Sequence, residues 1–372
     1  MSSHPSQRQR VRRQQSRVDT RSLRQDLRHL LLDASVAFAV TLAIFVLLYW
    51  RVEAGTSQTL MVMPNLDDAR RYWLYWACQA FGWSGLLWAW ITVLLGLLRS
   101  TAPGRWSVVS HARVERWHRV TSLTTIGLMF AHAFAFFLER IRDTGEGDGL
   151  GDRMASAFVE VFVPGGYDSG TGQVAILVGL IAFYLAIPLG LSFYVRWWMG
   201  ARLWRVLHRF VIVVYVLSVW HTLLYGTNVW FDGWFRTVVW ALQLPIALVF
   251  LVRLLTPLRA EERLPRRRRE SGGATGIPVA VLLRLGGRLV VGAAVVVVLL
   301  VTVTGRDGGR TPGQETGDML VTQPMVWGGL AVFLTVLCAV GLAVALARDD
   351  RASRTERTRS TERPERTRTA GS

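Results

Sequence analysis

The sequence predicts an all-α fold, a polytopic membrane helix bundle of about eight transmembrane helices. Of the 372 residues, 51% are hydrophobic, and the apolar runs approach the roughly 20 residues with which an α-helix crosses a bilayer. Arginines are concentrated in alternate loops, a pattern typical of membrane proteins. In addition, two of the apolar runs each carry a pair of histidines.

Eight apolar runs define the predicted spans, with polar stretches between them. Runs of this length that contain few charges indicate membrane helices. The spans are expected at 34–52, 73–98, 119–138, 174–195, 207–225, 235–255, 279–304 and 325–347.

The spans divide the chain into five predicted regions. About thirty polar residues precede the first span and no small-residue cleavage site follows them, so the N-terminus is interpreted as a tail and not as a signal peptide. The C-terminus is a low-complexity run, which predicts disorder. The regions are a basic cytoplasmic tail (1–33), a six-helix domain (34–255), an arginine-rich cytoplasmic linker (256–278), two additional transmembrane helices (279–347) and a disordered cytoplasmic tail (348–372).

The charge distribution predicts the orientation of the chain. The net charge is +17, but most arginines lie in the tails and in every second loop, where they set topology and do not indicate a nucleic-acid partner. Both termini are therefore expected in the cytoplasm, which agrees with an even number of spans. We expect a multi-pass protein of the plasma membrane that contacts membrane lipid. The acidic outer loop 139–173 is expected to be flexible except for an amphipathic piece around Met154–Val163.

The two cysteines exclude two classes of site. Cys78 and Cys338 each lie inside an apolar run, so neither a disulfide framework nor a thiolate metal site is expected.

Four histidines lie in the third and fifth spans. They are His118 and His132, fourteen residues apart, and His208 and His221, thirteen apart. Ionisable side chains inside membrane spans are costly and usually face the bundle interior with a partner. A helical rise of about 1.5 Å per residue separates the members of each pair by roughly 20 Å. Since both spans run from the cytoplasm outward, His118 is expected level with His208, and His132 level with His221.

At each of the two levels, each of the two parallel helices supplies one imidazole. This arrangement predicts two haem groups, each with both axial positions filled. A spacing of fourteen residues places His118 and His132 on one face of a regular helix. A spacing of thirteen residues places His208 and His221 about 140° apart around the helix axis. Two haems would therefore require a kink in the fifth span, a local widening of its helix, or opposite approaches of His208 and His221 to the two rings. The alternatives are hydrogen-bonded core histidines, a proton relay or a metal site, although zinc or copper would require three or four ligands within a few ångströms.

With these histidine spacings, residues 34–255 resemble the ferric-reductase-like transmembrane domain. That domain is shared by iron reductases, NADPH oxidases and the haem-binding membrane subunit of the periplasmic methionine sulfoxide reductase system. The resemblance implies that His118 and His208 ligate the iron of an inner haem b, and His132 and His221 that of an outer one.

Four arginines surround the inner histidines in the sequence. Because haem propionates are anionic, these arginines are close enough to pair with them, although the positive-inside rule also accounts for arginines at this position. The predicted propionate partners are Arg116, Arg119, Arg205 and Arg209.

The sequence departs from the oxidase and many iron-reductase members after the sixth span. It continues into an arginine-rich linker and two more spans, with no G-x-G-x-x-G and no soluble stretch long enough for a dinucleotide fold. We therefore expect no flavin or nicotinamide site in this chain and a separate electron donor, either a flavoprotein or a quinol.

The sequence thus predicts a membrane b-type cytochrome that carries electrons outward to ferric iron, oxygen or a redox partner, as a transmembrane oxidoreductase or its haem subunit. The alternatives are a quinol-linked haem subunit of a larger reductase and a non-enzymatic membrane protein with structural histidines.

Overall fold

The computed structural model describes residues 19–101, 109–143, 149–168, 172–231, 233–255 and 321–362, with isolated positions between 288 and 296. Every regular element in these ranges is helical, which confirms the all-α prediction. Single 3₁₀ turns join some of the helices. The α-helices are α1 (Thr20–Glu53), α2 (Trp73–Thr101), α3 (His111–Asp143), α4 (Leu150–Phe162), α5 (Gly172–Leu191), α6 (Arg196–Met199), α7 (Ala201–His208), α8 (Val211–Tyr225), α9 (Trp234–Ala241), α10 (Gln243–Leu255) and α11 (Gln323–Glu362).

Seven segments of the described chain are long and apolar enough to cross a membrane. They correspond to seven of the eight predicted spans. The predicted span at 279–304 and the linker at 256–278 lie outside the residues that can be described, apart from a few isolated positions. The protein is therefore a polytopic helical membrane protein.

The first helix is longer than its apolar run. It begins at Thr20, where the Asp19 carboxylate caps it by accepting a hydrogen bond from the Ser22 backbone N–H at 3.0 Å. Residues 20–33, expected to belong to a tail, are thus helical. At the other end of the chain, α11 continues to Glu362 and so enters the region predicted to be disordered. Alanine, arginine and glutamate in that region have high helix propensity, which the composition-based prediction underweighted.

Helices α2 and α3 are antiparallel and form the most extensive pair in the bundle. Thr92 of α2 donates a hydrogen bond to Thr121 of α3 at 2.9 Å. On the other side of this pair, Ala37 of α1 packs with Trp88 and Leu128. The first three helices therefore form one layer, in which the position of α3 is fixed by both of its predecessors.

Helices α5 and α8 form a second close pair. Their contact is an apolar cluster that includes Leu177, Ile181 and Leu224. Val326 of α11 is buried in the same cluster, so the last described span packs against this part of the bundle, as expected for an added helix.

The fifth span is broken between its two histidines. Helix α7 ends at His208 and α8 begins at Val211. Across the break, the N–H groups of Arg209, Phe210 and Val213 each donate to the carbonyl three residues earlier, at 3.0–3.2 Å. Such bonds wind the chain by about 120° per residue instead of 100°. The helix is therefore wound more tightly here, and not widened as one of the expected alternatives had it, and this winding turns His221 toward the side that His208 faces.

Helix α4 is the amphipathic piece expected in the loop 139–173. Ala157 and Val161 are buried on one side of it, and Glu160 forms an ion pair with Arg140 of α3 at 2.5 Å. Other large apolar side chains of α4, including Phe158, are exposed. The helix is thus fixed to the end of α3 by a polar contact while it presents an apolar surface outward.

The arginine distribution predicts that α4 is outside the cell and the residues just before α3 are inside. In a Cys338→Ser background, Ser156→Cys in α4 should react with a membrane-impermeant thiol reagent in intact cells. The matched variant Ser110→Cys should react only after lysis. Both serines are exposed and the remaining native thiol, Cys78, is buried. The reverse labelling pattern would invert the topology.

Candidate functional site

The four histidines of the third and fifth spans meet as two pairs in the interior of the bundle. The ring centres of His118 and His208 are 5.9 Å apart with an angle of 84° between the ring planes. Those of His132 and His221 are also 5.9 Å apart, with an angle of 77°. The structure therefore brings together the residues that the sequence placed at each level. Their role as ligands stays a prediction.

Three of the four imidazoles are held by the backbone of a neighbouring helix. Nδ1 lies 2.9 Å from the Thr92 carbonyl in His118, 2.8 Å from the Cys78 carbonyl in His132 and 2.7 Å from the Ala175 carbonyl in His221. Because a carbonyl can only accept, Nδ1 carries the proton in each ring. Nε2 then keeps its lone pair, which is the protonation state that a metal ligand requires.

His208 is oriented by packing. Its Nδ1 is buried without a hydrogen bond of good geometry, although the Leu189 carbonyl is close enough to interact with it. Trp204, one turn earlier on α7, stacks on its ring with a centroid distance of 5.2 Å. In the outer pair, the ring of Tyr225 stacks on that of His221 with a centroid distance of 6.4 Å. An aromatic ring thus supports one imidazole of each pair.

The separation within each pair is suitable for a metal between the rings. Bonds of about 2 Å from a metal to two opposite imidazole nitrogens leave the ring centres about 6 Å apart. The observed 5.9 Å in both pairs agrees with this value. Among the described residues, no group of three or more histidine, cysteine, aspartate or glutamate side chains could hold a metal ion. Each level therefore offers two imidazole nitrogens, fewer than the three or four ligands that a zinc or copper site requires.

Glycines permit the close approach of the helices that hold the histidines. A Cβ at Gly179 of α5 would lie 2.7 Å from Nδ1 of His221. On α2, a Cβ at Gly82 would lie 3.0 Å from Nδ1 of His132, and one at Gly96 would lie 3.0 Å from Cε1 of the ring of His118. These two glycines are fourteen residues apart, the same spacing as the histidines of the antiparallel α3. This match of spacings is present in the sequence, but it indicates a contact only once α2 is known to lie beside α3.

A cavity adjoins each pair of histidines. The outer one contains about 1240 Å³ of space between atoms, including its open mouth, and the inner one about 390 Å³. The outer cavity is lined by His132, His221 and mainly apolar and aromatic side chains. The glycine contacts, the ring separations and these cavities together mark the two histidine levels as candidate cofactor sites.

Two arginines line the inner cavity. Arg119 is one of the four predicted propionate partners, and Arg99 of α2 is not among them. Arg205 and Arg209 are exposed, whereas Arg116 is half-buried on α3. The pairing of the four arginines with haem propionates stays a prediction. The sequence analysis did not include Arg99, which precedes the inner histidines in the chain and reaches them because α2 is antiparallel to α3.

The comparison with known proteins agrees with the resemblance noted in the sequence. Residues 81–219 match the family model described as the ferric reductase like transmembrane component. The match includes His118, His132 and His208 and ends two residues before His221. No curated protein and no solved structure matches the chain. Residues 81–219 are thus similar to the ferric reductase like transmembrane component, and this similarity suggests a function in transmembrane electron transfer.

The glycine contacts generate a prediction about packing. Gly179→Ala should push the His221 ring away from the Ala175 carbonyl and destabilise the protein by about 1–3 kcal/mol, as overpacking usually does. Thermal unfolding and the haem content of the purified protein would measure the effect.

The matched control is Gly127→Ala in α3, where an added Cβ would meet no atom within 4 Å. This substitution should leave the haem content unchanged and could stabilise the helix by up to about 1 kcal/mol. Equal effects of the two substitutions would contradict the packing role of Gly179.

Proposed function

We propose that the chain is a membrane b-type cytochrome that holds two haems, one between His118 and His208 and one between His132 and His221. The observation that carries the proposal is the pairing of the four imidazoles, with centroids 5.9 Å apart in both pairs. Separate elements supply the two members of each pair, and the backbone of further helices orients three of the four rings.

When bound, haem iron supplies the one-electron redox chemistry. The protein residues supply ligation, spacing and an environment from which water is largely excluded. Fourteen residues of α3 separate the two levels by about 21 Å along the helix. In this proposal electrons enter at the cytoplasmic level and leave at the outer level. Electron transfer of this kind requires no side chain that acts as an acid, a base or a nucleophile.

The chain acts with a separate electron donor, a flavoprotein or a quinol, and with an acceptor outside the membrane such as ferric iron, oxygen or a redox protein. In this proposal the chain is a transmembrane oxidoreductase, or the haem subunit of one, in the plasma membrane with both termini in the cytoplasm. The observed family match supports the electron-transfer function, and the arginine distribution supports the direction.

The test is a reduced-minus-oxidised absorbance spectrum of the purified protein, followed by single substitutions. Replacing His132 or His221 with alanine should remove the same spectral component, and replacing His118 or His208 should remove the other. The two variants of one pair should lose the same component because both histidines of that pair would hold one iron. Haem content per chain and redox titration would measure it.

His111→Ala is the matched control. His111 is the first residue of α3, is exposed, and precedes His118 by two helical turns. Its replacement should leave both spectral components intact. A protein without haem absorbance would favour the non-enzymatic alternative with structural histidines, and identical spectra of all five variants would refute the two-level arrangement.

A further inference from the structure

Asp26 of α1 is a fully buried carboxylate at the cytoplasmic end of the bundle. The Arg119 guanidinium of α3 binds it through two hydrogen bonds, from Nε to Oδ2 at 2.7 Å and from Nη2 to Oδ1 at 3.0 Å. The hydroxyl of Tyr194 donates to Oδ2 at 3.0 Å. Such two-point arginine–carboxylate contacts are strong and geometrically specific. The contact therefore fixes the position of the Arg119 charge.

That charge belongs to the inner histidine site. Arg119 follows His118 directly in the chain, and both side chains line the inner cavity. Arg99 lines the same cavity, and Glu115 binds Arg99 at 3.2 Å and Arg119 at 3.3 Å. Two guanidinium groups and two carboxylates thus balance one another beside this cavity, and Asp26 is the most deeply buried of the four.

We propose that Asp26 sets the reduction potential of the inner haem by neutralising Arg119. This inference rests on the proposed haem function. The ferric state carries one more positive charge than the ferrous state, so an uncompensated guanidinium nearby would favour reduction. Charge interactions are strong in a site of low dielectric constant. With Asp26 in place, the pair is neutral and the inner haem keeps a lower potential.

The effect is specific to the inner level. The described lining of the outer cavity contains no arginine, aspartate or glutamate, and the outer histidines lie about 20 Å further along α3 and α8. A change at Asp26 should therefore act on one of the two haems and leave the other as an internal reference. Asp26 is a positioning residue that acts through Arg119.

The test is a redox titration of the whole chain in lipid nanodiscs, in which haem absorbance reports the fraction of reduced haem. Asp26→Asn removes one negative charge and keeps the shape of the side chain. A unit charge about 10 Å away at an effective dielectric constant of about 20 changes the ratio of reduced to oxidised haem on the order of tenfold. A tenfold change in this ratio corresponds to 59 mV for a one-electron couple. The reduction potential of the inner haem should therefore rise by about this amount.

The double variant Asp26→Asn with Arg119→Gln replaces the ion pair by a neutral pair. Its inner potential should fall from that of Asp26→Asn toward that of the unmodified protein. If Asp26 only tied α1 to α3, the double variant would be disturbed at least as much as the single one. Should Asp26→Asn lose the inner haem, recovery of that haem in the double variant would support charge compensation, and its loss in both would overturn the proposal.

Asp19→Asn is the matched control. Asp19 binds Arg196 at 3.1 Å, and neither residue lines a described cavity, so both potentials should stay unchanged. An unchanged inner potential in Asp26→Asn with both haems bound would refute the role of Asp26. A similar rise in Asp19→Asn would refute its specificity. Absence of haem from the unmodified protein would instead refute the proposed function.

Discussion

The histidine site depends on hydrogen bonds that cross from one helix to the next. His118 and His132 both project from α3, but the carbonyls that orient them belong to Thr92 and Cys78 of α2. The carbonyl that orients His221 belongs to α5. A ring is therefore oriented correctly only if two helices have the correct distance and register. Glycines at the contact points allow that distance, which explains why the helix pairs α2–α3 and α5–α8 are packed so closely.

Much of this arrangement could be predicted from the sequence because membrane spans and ionisable residues leave strong one-dimensional patterns. Apolar runs gave the spans, and the histidine spacings gave the pairs. The contact of Gly82 with His132 could not be derived in the same way, because it requires knowledge of which helix is the neighbour of α3. For the fifth span the sequence left a kink, a local widening and opposite approaches to the two rings open, and the i→i−3 bonds that form the break after His208 depend on backbone geometry.

The charged residues were the least predictable part. Arginines near the ends of spans look alike in a sequence, since positive-inside topology and ligand binding favour the same positions. Asp26 was assigned to a polar tail because it lies among arginines before the first apolar run. The structure distinguishes these residues by their partners: Arg119 faces the inner cavity and is bound by Asp26, whereas Arg205 is exposed. Hydropathy averages over a window and cannot distinguish a buried ion pair from a solvated tail.

The polar contacts of α1 have a consequence for biogenesis. Asp26 and Asp33 are seven residues apart on this helix, and Asp33 accepts hydrogen bonds from Trp88 of α2 and Thr124 of α3. The ribosome synthesises α1 before α2 and α3, and both aspartates lie in the N-terminal part of α1, before its apolar run at 34–52. Arg119 and Thr124 of α3 are synthesised later, and Tyr194, which follows α5, later still. The buried position of Asp26 therefore forms late, which couples the packing of the start of α1 to completion of the layer that carries His118 and His132.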